Sequence, residues 1–515
     1  MPKISNSRAI VSVLTALTAV VLALACLVGV GTQAAGATGK TLYDVVPLEG
    51  GWTNTIARDI NEKQQIAGQG TKSDLRPQAQ AFLWEGEAVR PLGVPATQGN
   101  LSRARAINDD GAVVGEWRIG GGMQARFKAF LYEDGQMKDL NALISAGTGW
   151  ELTGAQAINE SRQVVGSGTK RVETPEGVRE ETHAFLYESG AVTDLGEEVL
   201  RNPYSAAWGI NDSGDVVGGA GSAEAQSGAF VFRNGAVDRL SSPGPFSASE
   251  AVGINNCGQV IGWSFDPGQN PPQGKGFLYG HGGDGEAKFE SLEPLDRPDT
   301  SPLSDDVYTR ARDVDEAGRV VGWSRNDVGA TQREQFSAVL WEEAGPEGKR
   351  QAQDLNDLVI PEDSGWKLVD AYAINEGGQI VGSGYHKGGS LQAFLLNPAY
   401  DFSGFFAPVD NPPTVNKVNA GRAILVKFSL AGDQGLDVLA EGYPISRRID
   451  CDATDRVDAV EKTATAGSSG LSYDATTDQY TYVWKTEKAW TGCRQLVLKL
   501  DDGTVHRANF SFTKR

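Results

Sequence analysis

The chain has 515 residues, which is long enough for two or three domains, and 40% of them are hydrophobic, which is ample for a large core. Its 66 acidic residues outnumber its 47 basic residues, so the formal net charge is -19. Binding nucleic acid requires a basic face, so this balance excludes nucleic acid as an expected partner and favours a soluble, acidic surface.

The first 37 residues have the layout of a secretory signal peptide. Lys3 and Arg8 precede a mostly apolar run over residues 10–30, and the small residues of "AGA" then form a cleavage site. We therefore expect a secreted or cell-surface protein with no membrane span after cleavage. Two alternatives stay open: an uncleaved anchor, because about 20 apolar residues span a bilayer, and a lipoprotein signal with Cys26 as the lipidated residue.

One phrase recurs seven times between residues 41 and 397, at intervals of 47, 51, 52, 44, 60 and 60 residues. Each copy has an Ile-Asn pair or its Val-Asp equivalent, a turn, a Val-Val-Gly run, an "AFLY"-type run and a run ending in Asp-Leu or a variant of it. The polar residue of the pair is Asn61, Asn108, Asn159, Asn211, Asn255, Asp315 and Asn375. β-Branched and aromatic residues bounded by Gly, Asn and Asp predict four short strands per copy.

The two ends of the repeat region complement each other. The strand "YDVVPL" from Tyr43 is of the Asp-Leu type, and the last copy stops at "AFLLNP" from Ala393 without such a strand. The first strand can therefore complete the last blade and protect the sheet edges. We predict an all-β fold with a seven-bladed β-propeller over 41–397 and shared-blade closure; a β-solenoid is the alternative.

The Asp and Gly residues of the repeat turns offer a candidate calcium site. The oxygen ligands that calcium needs are Asp109, Asp212, Asp313 and Asp315. The alternative is a structural turn, in which Asn begins an Asx-type turn and Gly takes the left-handed position. Copies such as "NESR" keep the turn but lose acidic ligands, so the sequence favours the turn and predicts no cofactor other than calcium as a candidate.

The second position of each Ala-x-x-Ile-Asn run is variable. We expect this run to be the innermost strand of a blade. The variable residue is Arg58, Arg105, Gln156, Trp208, Val252, Arg312 and Tyr372 in the seven copies. Arginine and aromatic side chains bind anionic or sugar-like ligands by charge-assisted hydrogen bonds and stacking. The candidate ligand-binding residues are Arg58, Arg105, Trp208, Arg312 and Tyr372. The alternative is that these side chains only pack between blades.

The phrases "HAFLY" at His183 and "DLNDLVIPEDSGWKLVDAYAINEGGQIVGSG" from Asp354 resemble the HAF repeat family of bacterial extracellular proteins. The resemblance covers residues 41–397 and implies an exported repeat protein without an established reaction. Only one copy keeps the family's His. The sixth copy also has Ala338-Val339 in place of Ala-Phe.

The pattern changes after Pro398, where a Pro/Asn-rich linker is predicted over residues 398–417. Alternating runs then predict a small Ig-like β-sandwich over 418–515. Cys451 and Cys493 lie together in this segment and are the expected disulfide of an exported chain, which leaves Cys257 as a single thiol. The segment resembles the PxKF domain of secreted actinobacterial proteins, although Ile424-Leu425 precede Val426-Lys427-Phe428 and the proline is absent.

No catalytic motif is recognised in the sequence. The four histidines have no metal-ligand spacing and no nucleophile elbow nearby, and the glycines are explained by turns. We predict a non-enzymatic, monomeric binding or interaction protein with an extracellular protein or glycan ligand. Two alternatives are a propeller-type hydrolase or lyase acting on extracellular polysaccharide and a purely structural envelope protein.

Overall fold

The computed structural model of the chain describes residues 41–48, 50–72, 78–86, 88–94, 101–120, 125–175, 177–200, 202–221, 228–267, 273–281, 287–295, 308–325, 336–344, 349–360, 364–436, 438–440, 442–451, 457–459, 463–464 and 470–513. The predicted signal peptide over residues 1–37, with Cys26, lies outside them. The described chain is all-β and divides into two compact units, one over 45–396 and one over 41–44 with 397–513.

The repeat region consists of short strands and three helical turns, Leu140–Ala142, Leu195–Leu200 and Leu355–Asp357. The strands are β1 (Leu42–Pro47), β2 (Trp52–Ile60), β3 (Ile66–Lys72), β4 (Gln80–Glu85), β5 (Ala88–Pro91), β6 (Ser102–Ile107), β7 (Val113–Ile119), β8 (Arg126–Glu133), β9 (Gln136–Asp139), β10 (Trp150–Ile158), β11 (Val164–Thr174), β12 (Gly177–Glu188), β13 (Ala191–Asp194), β14 (Ser205–Ile210), β15 (Val216–Ala220), β16 (Gly228–Arg233), β17 (Ala236–Leu240), β18 (Ala248–Ile254), β19 (Val260–Asp266), β20 (Gln273–His281), β21 (Ala287–Leu292), β22 (Tyr308–Val314), β23 (Val320–Arg325), β24 (Phe336–Ala344), β25 (Lys349–Asp354), β26 (Val359–Ile360), β27 (Trp366–Ile374), β28 (Ile380–His386) and β29 (Leu391–Ala399).

These strands form seven sheets, numbered here in chain order. Sheets 1 to 6 are β2–β5, β6–β9, β10–β13, β14–β17, β18–β21 and β22–β25, each hydrogen-bonded in sequence order. Sheet 7 has the order β26-β1-β29-β28-β27, so the N-terminal strand pairs with the last repeat as the sequence predicts. The first strands contact one another in a closed cycle, from β2 through β6, β10, β14, β18 and β22 to β27 and back to β2.

The turn between the first two strands of each sheet is built by the repeated polar residue. In sheet 7 the Asn375 Oδ1 accepts a hydrogen bond of 2.9 Å from the Gln379 N–H, and Gly378 takes a positive φ of 74°. The Asn375 carbonyl also accepts from the Gly378 N–H at 2.9 Å. Asparagine starts such turns and glycine adopts the left-handed region without steric cost, so the structural turn is what these residues form.

The glycine of the Val-Val-Gly run lies where no side chain fits. A Cβ on Gly382 would lie 2.2 Å from the Asp370 carbonyl oxygen of the first strand and 2.5 Å from the Phe394 ring of the third. The aromatic ring of the "AFLL" run therefore packs directly on the second strand, and Phe394 is fully buried. Close packing between sheets and within them explains why this position repeats as glycine.

At each of the seven junctions between neighbouring sheets, a side chain of one sheet forms a hydrogen bond with the main chain of the other. At five junctions a hydroxyl accepts the N–H of a third strand: Thr55 from Ala393, Ser102 from Ala81, Ser205 from Ala184, Ser249 from Ala229 and Thr309 from Gly276, at 2.8–3.1 Å. At the other two, Asn141 and Asn356 bond both the N–H and the carbonyl of Leu152 and Leu368. These bonds satisfy buried main-chain groups that the sheets leave unpaired.

The second unit has two sheets around one core. Its strands are β30 (Phe405–Phe406), β31 (Val415–Asn419), β32 (Ala423–Phe428), β33 (Ile445–Arg448), β34 (Val457–Ala459), β35 (Thr463–Ala464), β36 (Leu471–Asp474), β37 (Gln479–Lys485), β38 (Gly492–Lys499) and β39 (Val505–Thr513). One sheet has the order β30-β32-β37-β36 with β35 beside β32, and the other β33-β38-β39-β31-β34. Phe428, Tyr480, Trp484 and Phe510 fill the core between them.

Two features of this unit bear on the sequence-based predictions. The Cys451–Cys493 disulfide is present, with a Cα–Cα distance of 5.2 Å. The segment 398–417, predicted as a linker, instead contains β30 and the start of β31 and packs Phe405 and Val409 into the core. No cysteine among the described residues is free, which corrects the expectation of a single thiol at Cys257.

Candidate functional site

The repeated asparagines join neighbouring sheets as well as forming turns. Each Asn Nδ2 donates to the main-chain carbonyl of the equivalent residue in the next sheet. The bonds run from Asn61 to Asn108, Asn108 to Asn159, Asn159 to Asn211, Asn211 to Asn255, Asn255 to Asp315 and Asn375 to Asn61, at 2.8–3.3 Å. We call these residues the asparagine ring. Its members are 2–5% exposed, so the side-chain amides are buried where they link neighbouring sheets.

Asp315 is the exception in this ring, because a carboxylate cannot donate. Arg319, four residues later, takes over the donor role. Its Nε bonds to the Asp315 Oδ2 at 2.5 Å, and its Nη2 donates to the Glu376 carbonyl of the next sheet at 3.4 Å. The ion pair therefore replaces the missing amide donor and reaches the neighbouring sheet in its place.

A second ring passes through the residue that follows each asparagine. Every main-chain N–H at this position donates to the side-chain oxygen of the equivalent residue in the next sheet. The order is Glu62, Asp109, Glu160, Asp212, Asn256, Glu316, Glu376 and back to Glu62, at 2.7–3.1 Å. We call this the carboxylate ring. Burial raises the pKa of Glu376 to about 7 although the N–H of Glu316 opposes the shift.

These contacts give the four candidate calcium ligands other roles. Asp109 and Asp212 each accept an N–H from the preceding sheet. Asp315 pairs with Arg319, and Asp313 accepts the N–H groups of Val314 and Ile374. Among the described residues no group of three or more His, Cys, Asp or Glu side chains is arranged to hold a metal ion. The four Asp side chains thus contact main-chain N–H groups or an arginine.

The variable residue of each copy is a β-bulge. In all seven first strands the register with the second strand breaks at this residue, for example between Ala57 and Asp59 around Arg58. A bulged residue leaves the hydrogen-bond ladder and its side chain is re-aimed. The seven bulges therefore release seven side chains from the alternation that the rest of the strand obeys.

The bulged side chains line one cavity of about 400 Å³ where the first strands meet. All five residues predicted from the sequence, Arg58, Arg105, Trp208, Arg312 and Tyr372, are in its lining, and so are the bulged Gln156 and Val252. Four further charged residues of the lining were not predicted from the sequence to be cavity residues: Asp59, Glu250, Arg310 and Asp313. The cavity thus combines four arginines with three carboxyl groups.

Two of the four arginines are neutralised by carboxylates outside the lining. Arg312 binds Asp370 through two hydrogen bonds, of 3.3 Å from Nε and 2.8 Å from Nη2. Burial works against the charge of Arg312, but Asp370 outweighs it, so the pKa of Arg312 lies above its ordinary value. Arg105 bonds to Glu116 at 2.9 Å, a carboxylate that also accepts from Arg103 at 3.1 Å.

The other two arginines, Arg58 and Arg310, have no carboxylate within salt-bridge distance among the described residues. The Nε of each is buried without a hydrogen-bond partner. Burial lowers the pKa of both guanidinium groups, and the nearby charge of Arg312 adds to the effect. Arg58 lies over the Tyr372 ring at 4.3 Å, and Arg312 lies 5.0 Å from the same ring. Tyrosine stacking thus holds Arg58 in place without neutralising it.

Sheets 4 and 5 contribute apolar residues and one carboxylate to the lining. Trp208, Val252 and two glycines lie there, and so does Glu250, which accepts the Trp263 Nε1–H at 3.2 Å. The Trp208 Nε1–H is buried and has no acceptor. In the cycle of first strands, sheet 4 lies three places from sheet 1, which carries Arg58, and two places from sheet 6, which carries Arg310.

Two buried carboxyl groups complete the lining. Asp59 accepts the N–H groups of Ile60 and Ile107 at 2.9 and 2.8 Å. Burial, reinforced by the charge of Asp313, raises the pKa of Asp59 to about 8 despite these bonds. Burial likewise raises the pKa of Asp313 to about 6. Burial therefore favours the neutral form of both carboxyl groups.

Comparison with known proteins leaves the function to be argued from this cavity. A family described as "Protein of unknown function (DUF3466)" matches residues 32–156, so the HAF-repeat and PxKF resemblances stay predictions. No curated protein matches the chain. The chain is similar in structure to a gluconolactonase, XC5397 from Xanthomonas campestris, at 11% identity over 70% of this chain and 90% of that one, with a TM-score of 0.32.

Two further solved structures show a similar degree of likeness. One is an oligogalacturonate lyase in complex with manganese, at 11% identity, 71% coverage of this chain, 95% of that one and a TM-score of 0.38. The other is YCF48 bound to a D1 peptide, at 14% identity, 71% and 97% coverage and a TM-score of 0.36. What these proteins bind is not transferred to this chain.

Proposed function

We propose that the chain is a non-enzymatic, secreted or cell-surface binding protein whose first unit is a seven-bladed β-propeller that binds a small anionic ligand in its central cavity. The observation that carries the proposal is the convergence of all seven bulged residues on one cavity in which two arginines lack a carboxylate partner. Buried cations without counter-ions are unfavourable alone and favour an anionic occupant.

The arrangement of the sheets supports the propeller. The first strands contact one another in a closed cycle, and the carboxylate ring passes through all seven sheets and returns to Glu62. Sheet 7 takes β1 as its fourth strand, and the Leu48 N–H donates to the Ala393 carbonyl at 3.1 Å. This is the shared-blade closure expected of a propeller that joins its two ends.

The second unit and the cysteines support an extracellular location. Two sheets around one aromatic core fit a small Ig-like sandwich, and the Cys451–Cys493 disulfide fits an oxidising compartment. None of the described helical segments is long and apolar enough to cross a membrane. Export through the signal peptide over residues 1–37 is part of the proposal, as is a surface-associated or partner-binding role for this unit.

A binding role is placed ahead of hydrolysis because the three carboxyl groups of the cavity all have protein partners. Asp59 and Asp313 each accept two main-chain N–H groups, and Glu250 accepts the Trp263 Nε1–H at 3.2 Å. A general acid or base needs an oxygen within hydrogen-bond reach of the reacting atom. A hydrolase or lyase acting on extracellular polysaccharide remains the alternative, and a purely structural envelope protein would bind no small ligand at all.

The test is a thermal-shift screen of the purified chain against small organic anions, neutral sugars and glycans. Ligand binding to the folded state raises the melting temperature. We expect saturable stabilisation by anions that is lost in Arg58→Gln and kept in Arg126→Gln, whose side chain is 71% exposed. The absence of any saturable ligand would contradict the proposal, and turnover of a polysaccharide would favour the alternative enzyme.

A further inference from the structure

The number of free cations in the cavity limits the charge of its ligand. Of the four lining arginines, Arg312 and Arg105 are engaged by Asp370 and Glu116. Of these four, only Arg58 and Arg310 have no carboxylate within salt-bridge distance among the described residues. Both lie close enough to Arg312 for its charge to lower their pKa. A carboxylate has two oxygens and one negative charge, so it suits two guanidinium groups whose neighbours are already neutralised.

A second charge on the ligand would meet repulsion from the same region. Asp370 and Glu250 lie near Arg310, and Asp370 also lies near Arg58, as their electrostatic influence on these two arginines indicates. A phosphate dianion therefore gains little from its additional charge, since the remaining positive groups are already paired. The cavity distinguishes a monocarboxylate from a phosphate by this balance of charges rather than by its size.

The lining of sheets 4 and 5 suits a ring with a hydrogen-bond acceptor. Trp208 has an Nε1–H without an acceptor, Val252 adds apolar surface, and the Glu250 carboxylate is part of the same lining. A flat or saturated ring can pack on the indole, and a hydroxyl or ring oxygen can accept its N–H. A volume of about 400 Å³ is at the small end of ligand pockets and suits one or two rings.

We infer that the cavity binds a hydroxylated six-membered ring bearing a single carboxylate, a hexuronic acid in class, with the carboxylate between Arg58 and Arg310 and the ring against Trp208. This inference rests on the proposed function and names its ligand chemistry. Tyr372 positions Arg58 by stacking, Arg312 lies against the same ring, and neither carries the selection.

The test is isothermal titration of the full chain at pH 7 with D-glucuronate, D-glucose, D-glucose 6-phosphate and benzoate. Comparison of these probes separates the contributions to affinity of the carboxylate, of the ring hydroxyls and of a second negative charge. We expect glucuronate to bind at least tenfold more tightly than glucose and more tightly than the phosphate. Benzoate keeps the carboxylate but has no ring acceptor, so we expect it to bind between glucuronate and glucose.

Variants of the cavity provide matched controls. Arg58→Gln and Arg310→Gln should each weaken glucuronate binding at least tenfold. Arg126→Gln removes an exposed cation that does not line this cavity, so it should change affinity less than threefold. Trp208→Phe should weaken glucuronate more than benzoate, because it removes the N–H together with part of the ring surface. Unfolding by circular dichroism checks that each variant is folded.

The outcomes separate this inference from the proposed function. Equal affinity for glucose, tighter binding of the phosphate, or equal losses in Arg126→Gln and Arg58→Gln would overturn the inference while leaving a binding cavity. If none of the four probes binds and the thermal-shift screen finds another anion that depends on Arg58, the inference is again wrong and the proposed function stands. If no ligand of any kind binds saturably, both are wrong. The probe panel needs only the unmodified chain.

Discussion

The asparagine ring is tested most directly by changing one amide to a carboxylate of the same shape. Asn159 is 4% exposed, and its Nδ2 donates to the Asn211 carbonyl at 3.0 Å and to the Gln163 Oε1 at 2.8 Å. In Asn159→Asp the new oxygen faces two acceptors at hydrogen-bond distance. The bond that the other oxygen accepts from the Gln163 N–H, at 2.9 Å, is retained.

The cost follows from the two lost bonds and the buried charge. An unsatisfied buried acceptor costs about 1–3 kcal/mol, and an uncompensated buried charge costs about 3–5 kcal/mol. We expect the free energy of unfolding of the first unit to fall by about 4 kcal/mol at pH 7. For a unit over residues 45–396, unfolding entropy of roughly 0.7 kcal/mol/K converts this into a melting temperature lowered by about 5 °C. The loss should shrink at pH 5, where the introduced carboxyl group becomes protonated and donates again.

The sixth repeat supplies the rescue. There Asp315 stands in place of asparagine, and Arg319, four residues later, pairs with it and reaches the next sheet. Gln163 occupies the position equivalent to Arg319, so the double variant Asn159→Asp/Gln163→Arg should recover most of the lost stability. Gln163→Arg alone is the control and should change the free energy of unfolding by less than about 1 kcal/mol.

Scanning calorimetry of the full chain measures all four proteins of this cycle, and the coupling energy follows from the four transition temperatures. A coupling of about 3 kcal/mol between positions 159 and 163 is expected from the buried charge that the arginine would neutralise. The reasoning is refuted if Asn159→Asp costs less than about 1 kcal/mol or if the arginine restores nothing.

Three further predictions concern the cavity, the sheet junctions and the second unit. Burial raises the pKa of Asp59 to about 8 and of Asp313 to about 6, so both carboxyls gain charge as pH rises from 5 to 9, and glucuronate affinity should fall over that range; a flat titration profile would contradict this. Ser249→Ala removes the acceptor of a buried N–H and should cost about 1–3 kcal/mol in urea unfolding, against no change for the exposed Ser472→Ala. Cys493→Ser opens a loop with a sequence separation of 42 and should lower the stability of the second unit by about 4 kcal/mol, as calorimetry of the oxidised and reduced chain would also measure.

The strand order of the sheets could be predicted from the sequence because it depends on local signals. The Asn-Gly turns, the alternation and the "AFLY" runs each act within one copy, and the pairing of β1 with the last repeat follows from which strand type is missing there. The two rings could not be predicted, since their bonds join residues 44 to 60 positions apart between successive copies and 314 positions apart where each ring closes. An asparagine at a turn in the sequence predicts that its Oδ1 accepts a main-chain N–H of the same turn, but it does not predict that its Nδ2 donates to the next sheet.

The cavity was partly predictable for a related reason. Seven of its residues occupy the one position that the repeat leaves variable, and five of them were predicted as ligand-binding residues because this variation is visible in the sequence. Arg310 was missed because it lies two residues before the bulge, outside that variable position. The pairing of Arg312 with Asp370 depends on a neighbouring sheet, so the sequence could not tell a free arginine from a neutralised one.

The two roles of the first strand are separated by the bulge itself. Arg58 forms no pair in the ladder, so replacing it removes few of the contacts that hold the sheet, whereas Asn61, three residues later, bonds across to the next sheet. A change at the bulge therefore alters the ligand cavity with little effect on folding, and a change at the asparagine alters ring closure with no direct effect on the cavity. The polar turn residue accordingly recurs in all seven copies, as asparagine in six and as Asp315 in one. The residue three positions earlier ranges from arginine and glutamine to valine, tryptophan and tyrosine. Because the contacts that close the asparagine ring lie at the turns, the side chains at the bulges can differ between copies without breaking that ring.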